Sequence, residues 1–290
     1  MRTRARRLNA VSAVVGAVAL SLAVSNGISG QEIMGRGQNI APSYDGWMEN
    51  PDGTFTLVFG YLNRNYEEQL EIPIGLDNNI SPGPPDRGQP THFYPRRQPY
   101  VFRVTVPKDF GARELVWTIV ANGKTESAYG TLKPELVLDE ATMMSNNEGG
   151  RPRNKNKAPV VRVEGTTRTV KVGEPLALEA FASDDGIPKP RSVPVGAPIG
   201  GRAQGMRVSW FVYRGAGAGK VTFGPEQFKH YLDYKSGSPW TPGWQVPPLP
   251  PDGRFPVTAT FSEPGTYVLR VMAHDGGLDS TQDVTVTVNR

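Results

Sequence analysis

Beyond residue 39 the apolar side chains fall mostly at every second position, in short runs broken by turn residues. That is the period of β-strands rather than of helices. Residues 54–61 are aromatic and β-branched, and they follow Asn50-Pro51-Asp52-Gly53, where proline presets a turn corner and glycine accepts a positive φ. Tyr100, Phe102, Val104 and Val106 make one apolar face if Arg103 and Thr105 meet water. Residues 115–120 and 125–129 flank Asn122-Gly123, the strongest two-residue hairpin signal. Residues 69–74 alternate as well, with Pro73 marking an edge or a strand end. The Pro- and Gly-rich residues 77–99 read as a loop. Together these predict an antiparallel β-sandwich over residues 39–142, and no amphipathic helix is predicted after residue 30.

Residues 145–157 contain no apolar side chain, so 143–157 is expected to be a polar linker. Arg151, Arg153, Lys155 and Lys157 make it basic, either as a solvated boundary or as a strip for an acidic partner. Short strands are then predicted at 160–163, 176–182, 208–213, 221–223, 257–261, 267–273 and 284–288, with long inserts at 184–205 and 224–253. Short strands at this spacing are the pattern of an Ig-like sandwich. The fold class expected is therefore all-β, with two antiparallel β-sandwiches in tandem.

Several stretches of residues 158–290 carry a family resemblance. The lead-in Asn156-Lys157-Ala158-Pro159-Val160-Val161, the strand Val172-Gly173-Glu174-Pro175-Leu176 and the acidic turn Ser183-Asp184-Asp185-Gly186 come first. Ser209-Trp210-Phe211 follows, and then Phe261-Ser262-Glu263-Pro264-Gly265-Thr266-Tyr267, Ala273-His274-Asp275-Gly276-Gly277 and the closing Val284–Val288 run. This half resembles the polycystic-kidney-disease (PKD) family of Ig-like domains. The resemblance implies a buried Trp210 and a role as a spacer or as a protein or carbohydrate contact module. Tyr213-Arg214-Gly215-Ala216-Gly217 departs from the family's usual Phe-Gly-Asp-Gly turn, and the 224–253 insert is longer than the family's pattern.

The N-terminus sets the expected address. Arg2, Arg4, Arg6 and Arg7 precede an apolar run over residues 10–24, which dissolves into small residues by Gly30. This is the layout of a secretory signal peptide over 1–30, cleaved after Gly27 or Ser29. An uncleaved anchor is the alternative, although the run is short against the roughly 20 residues of a membrane-spanning helix. Arg6-Arg7 is a poor twin-arginine match. With Cys 0 in the chain, neither disulfides, thiolate metal sites nor a lipid-modified cysteine enter the picture. Removing the four leader arginines from 32 basic residues leaves 28 against 28 acidic ones. A neutral mature chain argues against nucleic acid as a partner. The protein is expected to be periplasmic or extracellular, with no stable membrane span once the leader is cleaved.

Candidate chemistry is sparse. Asp184, Asp185 and Asp275, with Asn156 at the module's start, offer oxygens of the kind calcium takes in sixes to eights. They meet at one end if the PKD-like fold holds, and calcium is the cofactor this set suggests. The competing reading is that Asp-Gly pairs are turn residues. Residues 215–220 have glycines like a phosphate loop but lack its spacing, with Val221 where Ser or Thr belongs. His92, His230 and His274 are isolated in sequence, no Gly-x-Ser-x-Gly motif is present, and Glu67, Glu68 and Glu71 are expected to face solvent. Tyr231, Tyr234, Trp240 and Trp244 crowd a proline-rich insert suited to stacking on sugar rings, or to folding back over the sandwich. The function expected is non-enzymatic: adhesion, scaffolding or recognition of a protein or polysaccharide in the bacterial cell envelope. The alternatives are an accessory subunit of a secreted enzyme or envelope complex, or a hydrolase with its site in the first module.

Overall fold

The Asn50–Gly53 turn forms as its residues dictate. Gly53 takes φ +79° and its N–H donates to Asn50 O at 2.8 Å, while Asp52 Oδ1 accepts the Thr54 N–H at 2.9 Å. It joins β1 (Ile40–Glu49) to β2 (Phe55–Asn63), and β6 (Arg96–Val106) pairs with the other edge of β2, giving an antiparallel sheet β1-β2-β6. A second sheet, β4-β7-β8, combines β4 (Asn78–Ser81), β7 (Leu115–Ala121) and β8 (Lys124–Gly130). Asn122 and Gly123 both have positive φ, as a tight hairpin between twisted strands requires. The short pair β3 (Leu70–Glu71) and β5 (His92–Phe93) lies within the region expected as strand end and loop. The computed structural model describes residues 34–148, 155–192, 204–216, 220–229 and 247–290. The expected leader and the insert aromatics Tyr231, Tyr234, Trp240 and Trp244 lie outside the described residues.

Between these sheets Phe59 stacks on Phe102 at 5.2 Å, and Trp117 meets Phe102 edge-on at 4.8 Å. The Trp117 indole N–H is satisfied by Asn78 Oδ1 at 3.0 Å, so this deeply buried ring leaves no polar atom stranded. Phe102, Val104 and Val106 of the predicted β6 face are buried in this core, with Arg103 and Thr105 exposed. Tyr100 departs from that face, because the register shifts beside it and its φ is +58°, and it is buried in a separate cluster with Val58 and Leu138. β1 bulges between Tyr44 and Gly46. Its Asp45 lies over Gly60, accepts the Tyr100 N–H at 2.7 Å, and pairs with Arg97. A side chain at Gly60 would clash with the Gln98 carbonyl and sit 2.5 Å from Asp45 Oδ2, so only glycine leaves room for this buried carboxylate.

The second half forms two four-stranded sheets. One runs β10-β16-β15-β12, from β10 (Thr167–Lys171), β12 (Arg207–Arg214), β15 (Gly265–His274) and β16 (Asp279–Asn289), with β10 parallel to β16. The other runs β13-β14-β11-β9, from β9 (Val160–Val163), β11 (Leu176–Ser183), β13 (Val221–Gly224) and β14 (Arg254–Phe261). Trp210, Phe261, Tyr267, Leu269 and Val286 fill the space between them. The all-β double-sandwich class is the observed one. The outer edge of β9 is closed by side chains: Val161 N–H donates to Ser280 Oγ at 3.2 Å and Val163 N–H to Gln282 Oε1 at 2.9 Å.

Besides β1, β4 and β10, strands that the sequence expectation did not include, two features differ from it. A helix, α1 (Glu140–Glu148), occupies the start of the expected 143–157 linker, and its Met143 and Met144 are buried. They pack with Val58, Tyr100 and Leu138 of the first sandwich and Leu278 of the second. The segment has little amphipathic pattern, so tertiary burial of two adjacent methionines holds it rather than a helical stripe. The polar run also contributes: Asn146 Nδ2 donates to Tyr100 Oη at 2.8 Å, and Asn156 is buried.

The second difference is a bonded seam between the sandwiches. Gly215 N–H donates to Thr91 Oγ1 at 3.1 Å, Val212 N–H to Tyr94 Oη at 3.0 Å, and the Arg214 guanidinium forks onto Asp86 at 2.7 and 2.9 Å. Arg270 stacks over the Tyr213 ring at 3.4 Å, grips Asp283 through two nitrogens, and donates from Nη1 to Val101 O at 2.8 Å. Bidentate guanidinium pairs specify geometry as well as energy. Residues Gly35–Arg290 form one compact unit.

Candidate functional site

Three chain segments meet at one end of the second sandwich because of strand register. Ser183, the last residue of β11, pairs with Val160, the first of β9, so the lead-in containing Asn156 and the turn at Asp184 share that end. β15 finishes at His274, which pairs with Asp279, and Ser280 is the residue tied to β9. Asp275 is thereby placed beside the other two.

Asp275 starts a tight turn. Its Oδ1 accepts the N–H groups of Gly277 and Leu278 at 2.6 and 2.8 Å, while its own N–H donates to Leu278 O at 3.1 Å. Its other oxygen, Oδ2, has no partner, although the residue is 0% exposed. Asn156, 6% exposed, donates from Nδ2 to Met144 Sδ at 3.7 Å, and its Oδ1 is also without a partner. Asp184 Oδ2 accepts the Gly186 N–H at 3.0 Å and its buried Oδ1 accepts nothing. Buried acceptors left bare are uncommon and costly, each losing its hydration without replacement.

The charges report the same strain. Burial pushes the Asp275 carboxyl up to about 6, against backbone hydrogen bonds and the nearby Asn156 amide, which favour its charged form, and the neighbouring Asp184 charge adds to the rise. Burial likewise raises Asp184, reinforced by Asp185. Of the four residues expected to share a cation, Asn156, Asp184 and Asp275 each carry one buried oxygen without a partner. Asp185 does not: its two oxygens accept the backbone N–H groups of Ile187 and Lys157 at 2.9 and 3.1 Å, a turn-capping role. Among the described residues, no group of three or more His, Cys, Asp or Glu is placed to hold a metal. The cluster therefore offers two carboxylates and an amide carbonyl; of the three, Asp184 lines an open groove, beside Val160, Pro188 and Met206, while Asn156 and Asp275 lie behind it. A hard divalent cation completed by backbone oxygens and water suits that donor set. Partly buried Arg207 also lies within electrostatic reach of Asp275, as the effect of that carboxylate on its guanidinium shows.

One pairing had no sequence signal. Glu71, expected to face solvent, is partly buried, and its Oε1 bonds His92 Nδ1 across the β3–β5 pair. His92 Nε2 lies 2.8 Å from Gln69 Oε1. The Glu71 carboxylate also presses against Gly215, where a Cβ would overlap it. His92 and Glu71 are thus seam residues with both polar ends engaged. His274 Nδ1 accepts the Gly276 N–H at 2.7 Å beside Asp275, and His230 lies outside the described residues. Among the described residues, no helix is long and apolar enough to cross a membrane.

No family model matches this chain, and no curated protein matches it. Among solved structures it is similar to domains 4 and 5 of the S-layer protein SbsC, at 12% identity and TM-score 0.25, covering 62% of this chain and 66% of that one. It is also similar to a conjugative transposon lipoprotein from Bacteroides eggerthii, at 11% identity and TM-score 0.26, covering 43% and 95%. The D0-D1 domain of intimin aligns at 12% identity and TM-score 0.23, covering 85% and 97%. Superpositions at these scores are too loose to equate residues or roles, and what the chain itself displays is an all-β double sandwich.

Proposed function

We propose that this chain is an exported, non-enzymatic structural and recognition protein of the bacterial cell envelope, in which two β-sandwiches act as one rigid piece. The observation that carries this reading is the seam. The Gly215 N–H on Thr91, the Arg214–Asp86 fork and Arg270 Nη1 on the Val101 carbonyl join the sandwiches directly, where a flexible enzyme–module tether would need only a linker. Export rests on the basic-then-apolar leader, and a polysaccharide or protein contact on the aromatic insert with Trp240 and Trp244. In this reading a divalent cation such as calcium neutralises Asp184 and Asp275 and braces the end of the second sandwich.

The test is fractionation of the native host combined with in-cell crosslinking and affinity purification of the full chain. Recovery from the envelope or medium, with a mature N-terminus after Gly27 or Ser29 and a crosslinked envelope partner, supports the proposal. Recovery from the cytoplasm with an intact leader overturns it.

A further inference from the structure

The bare oxygens of the Asp275 pocket and the contact between the sandwiches share the same parts. Leu278, whose N–H and C=O both bond Asp275, puts its side chain into the cluster of Met143, Met144, Leu138, Tyr100 and Val58. Met144, in that same cluster, is what the Asn156 amide touches. Two residues further along α1, on the helix that bridges the modules, Asn146 holds the Tyr100 hydroxyl. Both inner walls of the pocket, Asn156 and the Asp275 turn, are therefore also walls of the apolar plug that joins the first sandwich to the second.

We infer that a divalent cation in this pocket tightens the seam between the sandwiches, acting through Leu278 and Met144. This rests on reading the pocket as a cation site and adds what occupancy controls. The physical path is short. With the pocket filled, Asn156 Oδ1, Asp184 Oδ1 and Asp275 Oδ2 are drawn to one point, which fixes the Asp275–Leu278 turn and the Asn156–Met144 contact together. With it empty, two like charges repel across the pocket and three acceptors lack partners. Any outward shift of the Asp275–Leu278 turn that relieves this repulsion withdraws Leu278 from the plug. Binding that orders one element of a shared packing cluster stabilises the rest of that cluster by linkage.

The experiment is hydrogen exchange on the full chain, with calcium chloride or with chelator, combined with calorimetric titration of calcium. The proteins are wild type, Asp275→Asn and Met144→Ala. The Asp275→Asn variant keeps an oxygen for the Gly277 and Leu278 N–H groups, so it retains the turn, and circular dichroism confirms its fold. In wild type, calcium is expected to slow exchange of the α1 amides and of Leu278 by about tenfold. Asp275→Asn loses both the calcium heat and the slowing. Met144→Ala keeps the calcium heat and the slowing at Leu278 but loses the slowing in α1. Calcium heat with slowing confined to residues 156, 184–186 and 275–278 in wild type overturns the coupling and leaves the cation site standing. No heat at millimolar calcium overturns the site itself.

Discussion

Asp275→Asn makes the buried carboxylate measurable as a pH-dependent cost. The folded chain lifts this carboxyl from 3.8 to about 6, first through burial. At 1.36 kcal/mol per pKa unit that displacement corresponds to roughly 3 kcal/mol, which solvent screening reduces to about 2 kcal/mol. An acid whose folded pKa lies above its unfolded one holds its proton in the fold after the unfolded chain has released it. Its contribution to stability is therefore present below about pH 4 and is lost as pH rises through about 6. Asparagine carries no such slope. In urea unfolding with chelator, the difference in unfolding free energy between the Asp275→Asn variant and wild type is expected to grow by about 2 kcal/mol from pH 4 to pH 7 in favour of the variant. A constant offset from altered hydrogen bonding cancels in that comparison. Calcium at about one hundred times its dissociation constant should return about 2.7 kcal/mol to wild type at neutral pH and nothing to the variant. Parallel pH profiles for the two proteins would refute the assignment of the strain to Asp275.

Three further perturbations test the fold and the proposed contact. Gly60→Ala places a methyl against the Gln98 carbonyl and Asp45, and is expected to lose about 2–3 kcal/mol in urea unfolding. Arg270→Lys keeps the charge but not the fork onto Asp283 or the stack on Tyr213, so a loss of about 1–2 kcal/mol is expected, with faster amide exchange along β12. Replacing Trp240 and Trp244 together by alanine should abolish retention on an insoluble polysaccharide that holds wild type, and equal retention removes the insert from the contact.

The parts visible in sequence were those governed by local rules. The alternation of Phe102, Val104 and Val106 and the Asn122-Gly123 turn needed no distant partner, and both formed as expected, whereas Tyr100 left that face at a bulge. β1 escaped notice because Pro42, Asp45 and Gly46 break its alternation, and Asp45 belongs inside only because Arg97 and the Tyr100 N–H arrive from β6. β10 carries only Val170 as an apolar residue and is held by parallel pairing to β16, far along the chain. In the candidate site, the two Asp-Gly turns were legible as acidic loops. Which oxygens they would leave bare was not, because backbone N–H groups at 186, 187, 277 and 278 decide it. Asn156 sits in a wholly polar run, and its burial follows from Met144 packing over it. Glu71 and His92 meet through a two-residue ladder that composition does not announce.

The closed edge of β9 also limits how this protein meets its neighbours. A sandwich whose outermost strand shows free N–H groups is a template on which another chain can add a strand. Here Ser280 and Gln282 reach across from β16 and occupy the donors of Val161 and Val163. Copies crowded at high concentration therefore find no vacant ladder on that side, and contacts there have to be made by side chains. Ser280→Ala with Gln282→Ala would reopen the ladder, and the double variant should self-associate at concentrations where wild type sediments unchanged.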